Sequence, residues 1–178
     1  MTSSEESKVG NNSEGSEERY DFFTDLLNAT EKQIKTFSFN GVSSFCKVSN
    51  VYDGDTCRVI FYYGGPTPDG NSQQKKNKVL TRITVRLDNI DTPEMKSDNE
   101  HEVELAKQAK QTVTDYILDK ICYVQFYKND KYKRPLADIF PCIKNEDGSY
   151  IKTDISISQI LIDQGLAREY HGGKKQPW

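Results

Sequence analysis

The sequence predicts an α+β domain in which five short antiparallel strands close into a small OB-type barrel with two to three helices attached. Three observations carry the prediction. Apolar residues alternate in strand fashion in five segments between residues 42 and 143. Turn-forming residues separate those segments, and a long helical stripe falls between the third and the fourth. A chain of 178 residues has room for one such domain plus a tail.

Residues 1–19 are rich in Ser, Glu, Gly and Asn and hold Val9 as their only apolar residue after Met1. They bury too little to offset the entropy of ordering and read as a disordered acidic tail. Phe22, Phe23, Leu26, Leu27, Ile34 and Phe37 then recur at helical spacing, so an amphipathic helix is expected over 20–37, followed by a linker to residue 40. Such a helix packs on the main domain or docks a protein partner. Gly41 opens the main domain, expected to run to residue 171.

Strands are expected at 42–51 and 55–63, with the turn Asp53-Gly54 between them. The glycine, proline and lysine content of 64–77 predicts an exposed loop, and Lys75, Lys76 and Lys78 add positive charge there. Over 78–88, Val79, Ile83, Val85 and Leu87 face one way and Arg82, Thr84 and Arg86 the other. Ser97-x-x-Glu100 fits a capping box ahead of a helix whose stripe is Val103, Ala106, Ala109, Val113, Tyr116 and Ile117. Strands at 121–127 and 135–143 follow, joined by a charged turn. A second helix is expected from Asp154, as N-cap, to Gln164, with core face Ile157, Ile160 and Leu161 and Gly165 as its stop. Residues 172–178 read as an extended, mobile basic tail, in which Lys174 and Lys175 either help hold a nucleic-acid strand or, as is commoner for a basic tail, are simply solvated.

Composition narrows the function. Hydrophobic residues make up 35% of the chain and no apolar run is long enough to span a bilayer. No N-terminal segment reads as a secretory leader, so an intracellular protein without membrane contact is expected. Net charge is −3, and the excess acid sits in residues 1–19. The neutral remainder does not coat polyanions and must grip nucleic acid through a local basic cluster. Cys46, Cys57, Cys122 and Cys142 lack C-x-x-C spacing and lie in or beside strand-like segments, which fits reduced core thiols rather than a zinc site.

Two acidic turns, Asp53-Gly54-Asp55-Thr56 and Asp91-Thr92-Pro93-Glu94, hold the chemistry. Pairing of the second and third strands would bring Asp55 and Asp91 to one rim of the barrel. Two carboxylates about 4 Å apart repel by roughly 4 kcal/mol at an effective dielectric near 20, and a bound cation reverses that sign. Neither turn holds His or Cys, and an all-oxygen set suits a hard cation, Ca²⁺ or Mg²⁺.

Four stretches in this order resemble the thermonuclease (staphylococcal nuclease-like) family. They are Asp53-Gly54-Asp55-Thr56, Arg86-Leu-Asp-Asn-Ile-Asp91-Thr92-Pro93-Glu94, Asp130-Lys131-Tyr132-Lys133-Arg134-Pro-Leu-Ala-Asp138 and Gln164-Gly165-Leu166-Ala167. The resemblance covers residues 42–171. It implies a five-stranded OB-type barrel with three helices and Ca²⁺-dependent hydrolysis of DNA and RNA with little sequence preference. It casts Asp55, Asp91 and the Thr92 carbonyl as metal ligands and Glu94 as general base. Arg86 and Arg134 match the arginines that grip phosphate, while Lys131 and Tyr132 match residues that touch a nucleotide phosphate. Lys133 stands where a glycine is frequent, and Tyr170 and His171 are the nearest counterparts of an aromatic stacking pair. The alternative function is a non-catalytic OB-type module that binds nucleic acid or protein; degenerate domains of that kind typically lose the acidic turns and arginines that this chain keeps.

Overall fold

The computed structural model describes residues 30, 38–63 and 79–178. The expected acidic tail, the helix over 20–37 (Thr30 apart) and the loop over 64–77 lie outside the described residues. Ser38–Trp178 forms one compact unit.

Five strands build the barrel: β1 (Ser43–Val51), β2 (Thr56–Tyr63), β3 (Val79–Leu87), β5 (Ile121–Asn129) and β6 (Pro135–Lys144). Period-2 alternation sends Cys57, Val59 and Phe61 of β2, Val85 and Leu87 of β3, Cys122, Val124 and Phe126 of β5, and Ala137 and Ile139 of β6 into one core. In β1 the inward set steps from Cys46 and Val48 to Val51, because a register shift between Val48 and Asn50 inserts one residue. All neighbouring pairs are antiparallel except the closure, where β3 and β6 run parallel through Arg86↔Leu136 and Leu87↔Ala137.

Three short strands complete the sheets. The two-residue β4 (Ile90–Asp91) pairs with β8 (Arg168–Glu169), placing Asp91 opposite Arg168. β7 (Tyr150–Lys152) adds to the edge of β6. Their lengths leave no periodicity to read, and none was expected from sequence.

Helix α1 (Glu100–Ile117) buries Ala106, Ala109, Val113 and Ile117. Tyr116, expected on that face, is exposed, as is Val79 at the start of β3. The capping box does not form. Asn99 is the N-cap and accepts from the His101 N–H, while the Ser97 hydroxyl donates to Glu102 instead. Asn99 shares the cap chemistry of Ser97 and stands directly before the first turn, so it takes the role. Helix α2 (Ile157–Asp163) likewise starts later than expected: Ser156, not Asp154, accepts from the Gln159 N–H. Its buried residues are Ile157, Ser158 and Leu161, with Ile160 packed at the margin. Gly165 follows with φ +70°, in the left-handed conformation expected of a helix stop.

All four cysteines are free, three of them buried in the barrel. Burial pushes the Cys122 thiol up to about 12 and the Cys46 and Cys57 thiols higher still, so they stay protonated and inert. Among the described residues no helix is long and apolar enough to cross a membrane.

Candidate active site

One face of the barrel holds a cavity of about 880 Å³. Asp55, Arg86, Thr92, Glu94, Lys131, Tyr132 and Arg134 all line it, and so do Tyr170, His171 and Lys175. The topology explains the convergence. The β1–β2 turn delivers Asp55, and the pairing Thr56↔Arg86 sets the end of β3 beside it. β4 carries Asp91, the following loop carries Thr92 and Glu94, and the β5–β6 turn carries Lys131, Tyr132 and Arg134.

Asp55 is buried and ion-paired through Oδ2 with Arg86 Nη1, and its Oδ1 accepts from the Thr56 hydroxyl at 2.8 Å. Burial pushes its carboxyl up to about 6, against the pull of the Arg86 guanidinium. Arg86 is held on its other side by the Ile90 carbonyl at 3.4 Å. The Asp53–Gly54 turn sits close under α1: a Cβ on Gly54 would lie 2.9 Å from Ala109 Cβ and 3.1 Å from Thr92 Cβ. Only a residue without a side chain lets the two acidic turns approach this closely.

Asp91 is buried as well. Its Oδ1 lies 2.7 Å from Lys175 Nζ in an ion pair. Lys175 Nζ also donates to Glu94 Oε1 at 2.6 Å. Partial burial pulls the Lys175 ammonium down, but Asp91 and Glu94 outweigh it and hold it above the usual lysine value. The reading of 172–178 as an extended, mobile tail is therefore corrected: these residues fold back onto the site. Glu102, in the first turn of α1, pins the Thr92–Glu94 loop by accepting from the Glu94 N–H and the Ser97 hydroxyl. Those bonds hold its carboxyl below the ordinary glutamate value, the Ser97 bond most of all.

Arg134 is positioned by Asp130. The Asp130 Oδ1 accepts from the Tyr132 and Arg134 N–H groups, and its Oδ2 accepts from Arg134 Nε at 2.8 Å. Burial raises the Asp130 carboxyl, and the Arg134 and Tyr132 hydrogen bonds more than reverse this, so it lies below its usual range. The exposed Tyr132 ring lies between two cations, with Lys131 Nζ 5.0 Å and Arg134 Cζ 5.5 Å from its centroid. Lys133 adopts φ +64° in this turn. A left-handed non-glycine residue costs roughly 1–2 kcal/mol, so Lys133→Gly is expected to raise stability in thermal unfolding by about 1 kcal/mol, the rest being offset by the looser unfolded chain. Tyr170 and His171 bond to Asn89 and to the chain around them, through Tyr170 N to the Asn89 carbonyl and His171 Nδ1 against Asn89 Oδ1 at 3.1 Å.

Asp55 and Asp91 are buried carboxylates and Thr92 is buried next to Asp91, oxygen donors of the kind that suit a hard cation; Asp55 and Thr92 line the cavity, and Asp91 is not among the residues that line it. Among the described residues no cluster of three or more His, Cys, Asp or Glu side chains forms a metal site, so a cation here would rely on the Thr92 carbonyl and water to complete its shell. Sequence reasoning missed Asp130 and Glu102 as positioning residues. The signal for Asp130 was an aspartate opening a tight turn with an arginine four residues on.

Comparison with known proteins bears on this arrangement. The chain is 27% identical over 163 residues to "probable endonuclease lcl3" of Neosartorya fischeri, covering 83% of this chain and 50% of that protein. It is 30% identical over 129 residues to the protein of the same name from Coccidioides posadasii, covering 70% and 40%. The chain thus spans about half the length, or less, of the curated relatives it matches. The family model described as staphylococcal nuclease homologue matches residues 84–177, from the arginine-bearing end of β3 through the returning tail. That match takes in more than half of the sequence, and the protein belongs to the family of staphylococcal nuclease homologues.

Proposed function

We propose that this domain is a Ca²⁺-dependent nuclease that hydrolyses phosphodiester bonds of DNA and RNA with little sequence preference. The observation that carries the reading is a cavity in which the buried Asp55, two arginines and the Lys131-Tyr132 pair meet, with Glu94 on the same lining. The relatives' printed name, endonuclease, agrees with it. The activity is assigned to residues 41–171.

Asp55, Asp91 and the Thr92 carbonyl would hold the cation, whose charge when bound polarises the phosphoryl group and orients a water. Glu94 accepts the proton of that water as its oxygen attacks phosphorus. The P–O bond to the sugar breaks, and the departing oxygen keeps the electron pair and takes a proton from solvent. Arg86 and Arg134 offer planar forks to the non-bridging oxygens, and their bonds strengthen as negative charge gathers there. Lys131 and Tyr132 bind a neighbouring phosphate. Every contact in this scheme goes to phosphate or water, so base identity is not read.

The test incubates the purified chain with plasmid, single-stranded DNA and RNA, in Ca²⁺ and then in chelator. Degradation in Ca²⁺ that stops with chelator is the expected result. Folded protein that binds nucleic acid without cutting it would replace the enzyme with the non-catalytic binding module.

A further inference from the structure

Residues 172–178, expected to trail free, form a strap built around one lysine. The strap starts from the β4–β8 pair, where Arg168 lies opposite Asp91. Gly172 and Gly173 then take φ +98° and +102°, a reversal that side-chain-bearing residues resist, and the Tyr170 hydroxyl closes the turn on the Gly173 carbonyl at 2.8 Å. Beyond Lys175 the chain is clamped again. Arg168 Nη1 donates to the Pro177 carbonyl at 2.8 Å, the Arg168 guanidinium lies 4.0 Å from the Trp178 ring centroid, and Asn99 Nδ2 donates to the Trp178 carbonyl at 3.3 Å. Held at both ends, the strap leaves Lys175 Nζ between Asp91 Oδ1 and Glu94 Oε1.

Lys174 and Lys175 are both exposed, and it is Lys175 whose ammonium meets the two acids. The ammonium lies 2.7 Å from the buried Asp91 Oδ1 and 2.6 Å from Glu94 Oε1, the position a competing cation at Asp91 would need. A cation tethered beside that buried oxygen acts at a high effective concentration.

We propose that Lys175 is a tethered counter-cation whose ammonium competes with a divalent cation for Asp91 and Glu94, and so sets the cation affinity of the site. The inference rests on the reading of Asp91 as a metal ligand. It makes Lys175 a determinant of metal demand rather than a group that touches the reacting phosphate.

Calorimetric titration of Ca²⁺ into the full chain and its variants tests this without any substrate. Lys175→Ala is expected to bind Ca²⁺ roughly tenfold more tightly, which corresponds to about 1.4 kcal/mol. Lys175→Arg, which keeps the charge, and Lys174→Ala, which removes a neighbouring charge outside the contact, are expected to stay near the parent affinity. Lys175→Gln keeps most of the side chain and repeats the measurement should the alanine variant fail to fold. Unchanged or weaker binding by Lys175→Ala and Lys175→Gln overturns the inference, as does an equal gain in Lys174→Ala, which would reduce the effect to net charge. Ca²⁺ binding of equal strength in every variant removes the inference and leaves the metal reading standing, whereas no Ca²⁺ binding by any folded variant removes both.

Discussion

Arg134→Ala is expected to slow phosphodiester cleavage by about a hundredfold to a thousandfold, because loss of one preorganised donor to developing charge costs about 2.7–4 kcal/mol of transition-state stabilisation. The thermal midpoint should barely move. Arg134 is about one-third exposed and its ion-pair partner, Asp130, belongs to the same turn. Asp130 keeps its bonds from the Tyr132 and residue-134 N–H groups when the side chain is cut back, so the turn persists. Arg134→Lys restores the charge but not the planar fork, and should recover only a small part of the rate. Single-turnover cleavage at saturating Ca²⁺, paired with thermal unfolding, checks both halves. A near-parent rate in Arg134→Ala would remove the residue from the site.

Gly54→Ala carries the largest expected effect on the fold. The added methyl would sit 2.9 Å from Ala109 Cβ and 3.1 and 3.2 Å from Thr92 Cβ and Cγ2. All three are short, stiff side-chain atoms attached to a helix or a buried loop, so backbone must yield. Overpacking of this kind costs roughly 1–3 kcal/mol. The displaced pieces are the turn before Asp55, the loop that carries Thr92, or α1, so Ca²⁺ affinity should fall together with stability. Adding Ala109→Gly returns the space. The double variant should regain Ca²⁺ affinity but not full stability, since a glycine inside a helix costs about 1 kcal/mol relative to alanine. Denaturant midpoints and calorimetry on the four-member cycle test the coupling. Independent effects of the two substitutions would show that turn and helix do not press on each other.

The barrel was legible because its strands are long enough to show period-2 alternation and its breaks carry Asp-Gly and Asn-Asp turns. Where the structure differs, the deciding contact is local competition or distance in sequence. Ser97 and Asn99 offer the same cap chemistry two residues apart, and pattern alone does not rank them. β4, β7 and β8 span two or three residues each and exist only through their partners. The acidic turns and arginines stood out because their residue types are unusual in combination. Lys175 did not: in sequence it is one lysine of two in a polar stretch, and its meaning comes from Asn99, Arg168 and the glycine reversal acting together.

The parallel pairing of β3 with β6 has a last consequence, for how this molecule comes into being. Arg86 lies in that pairing, and Arg134 stands two residues ahead of its partner Leu136. Both guanidiniums thus lie along a seam whose two edges come from distant stretches of chain, as the edges of the β1–β5 pairing also do, and such non-local joins are the slow ones to form. The proposed grip on a phosphate from two sides therefore exists only while that seam is closed.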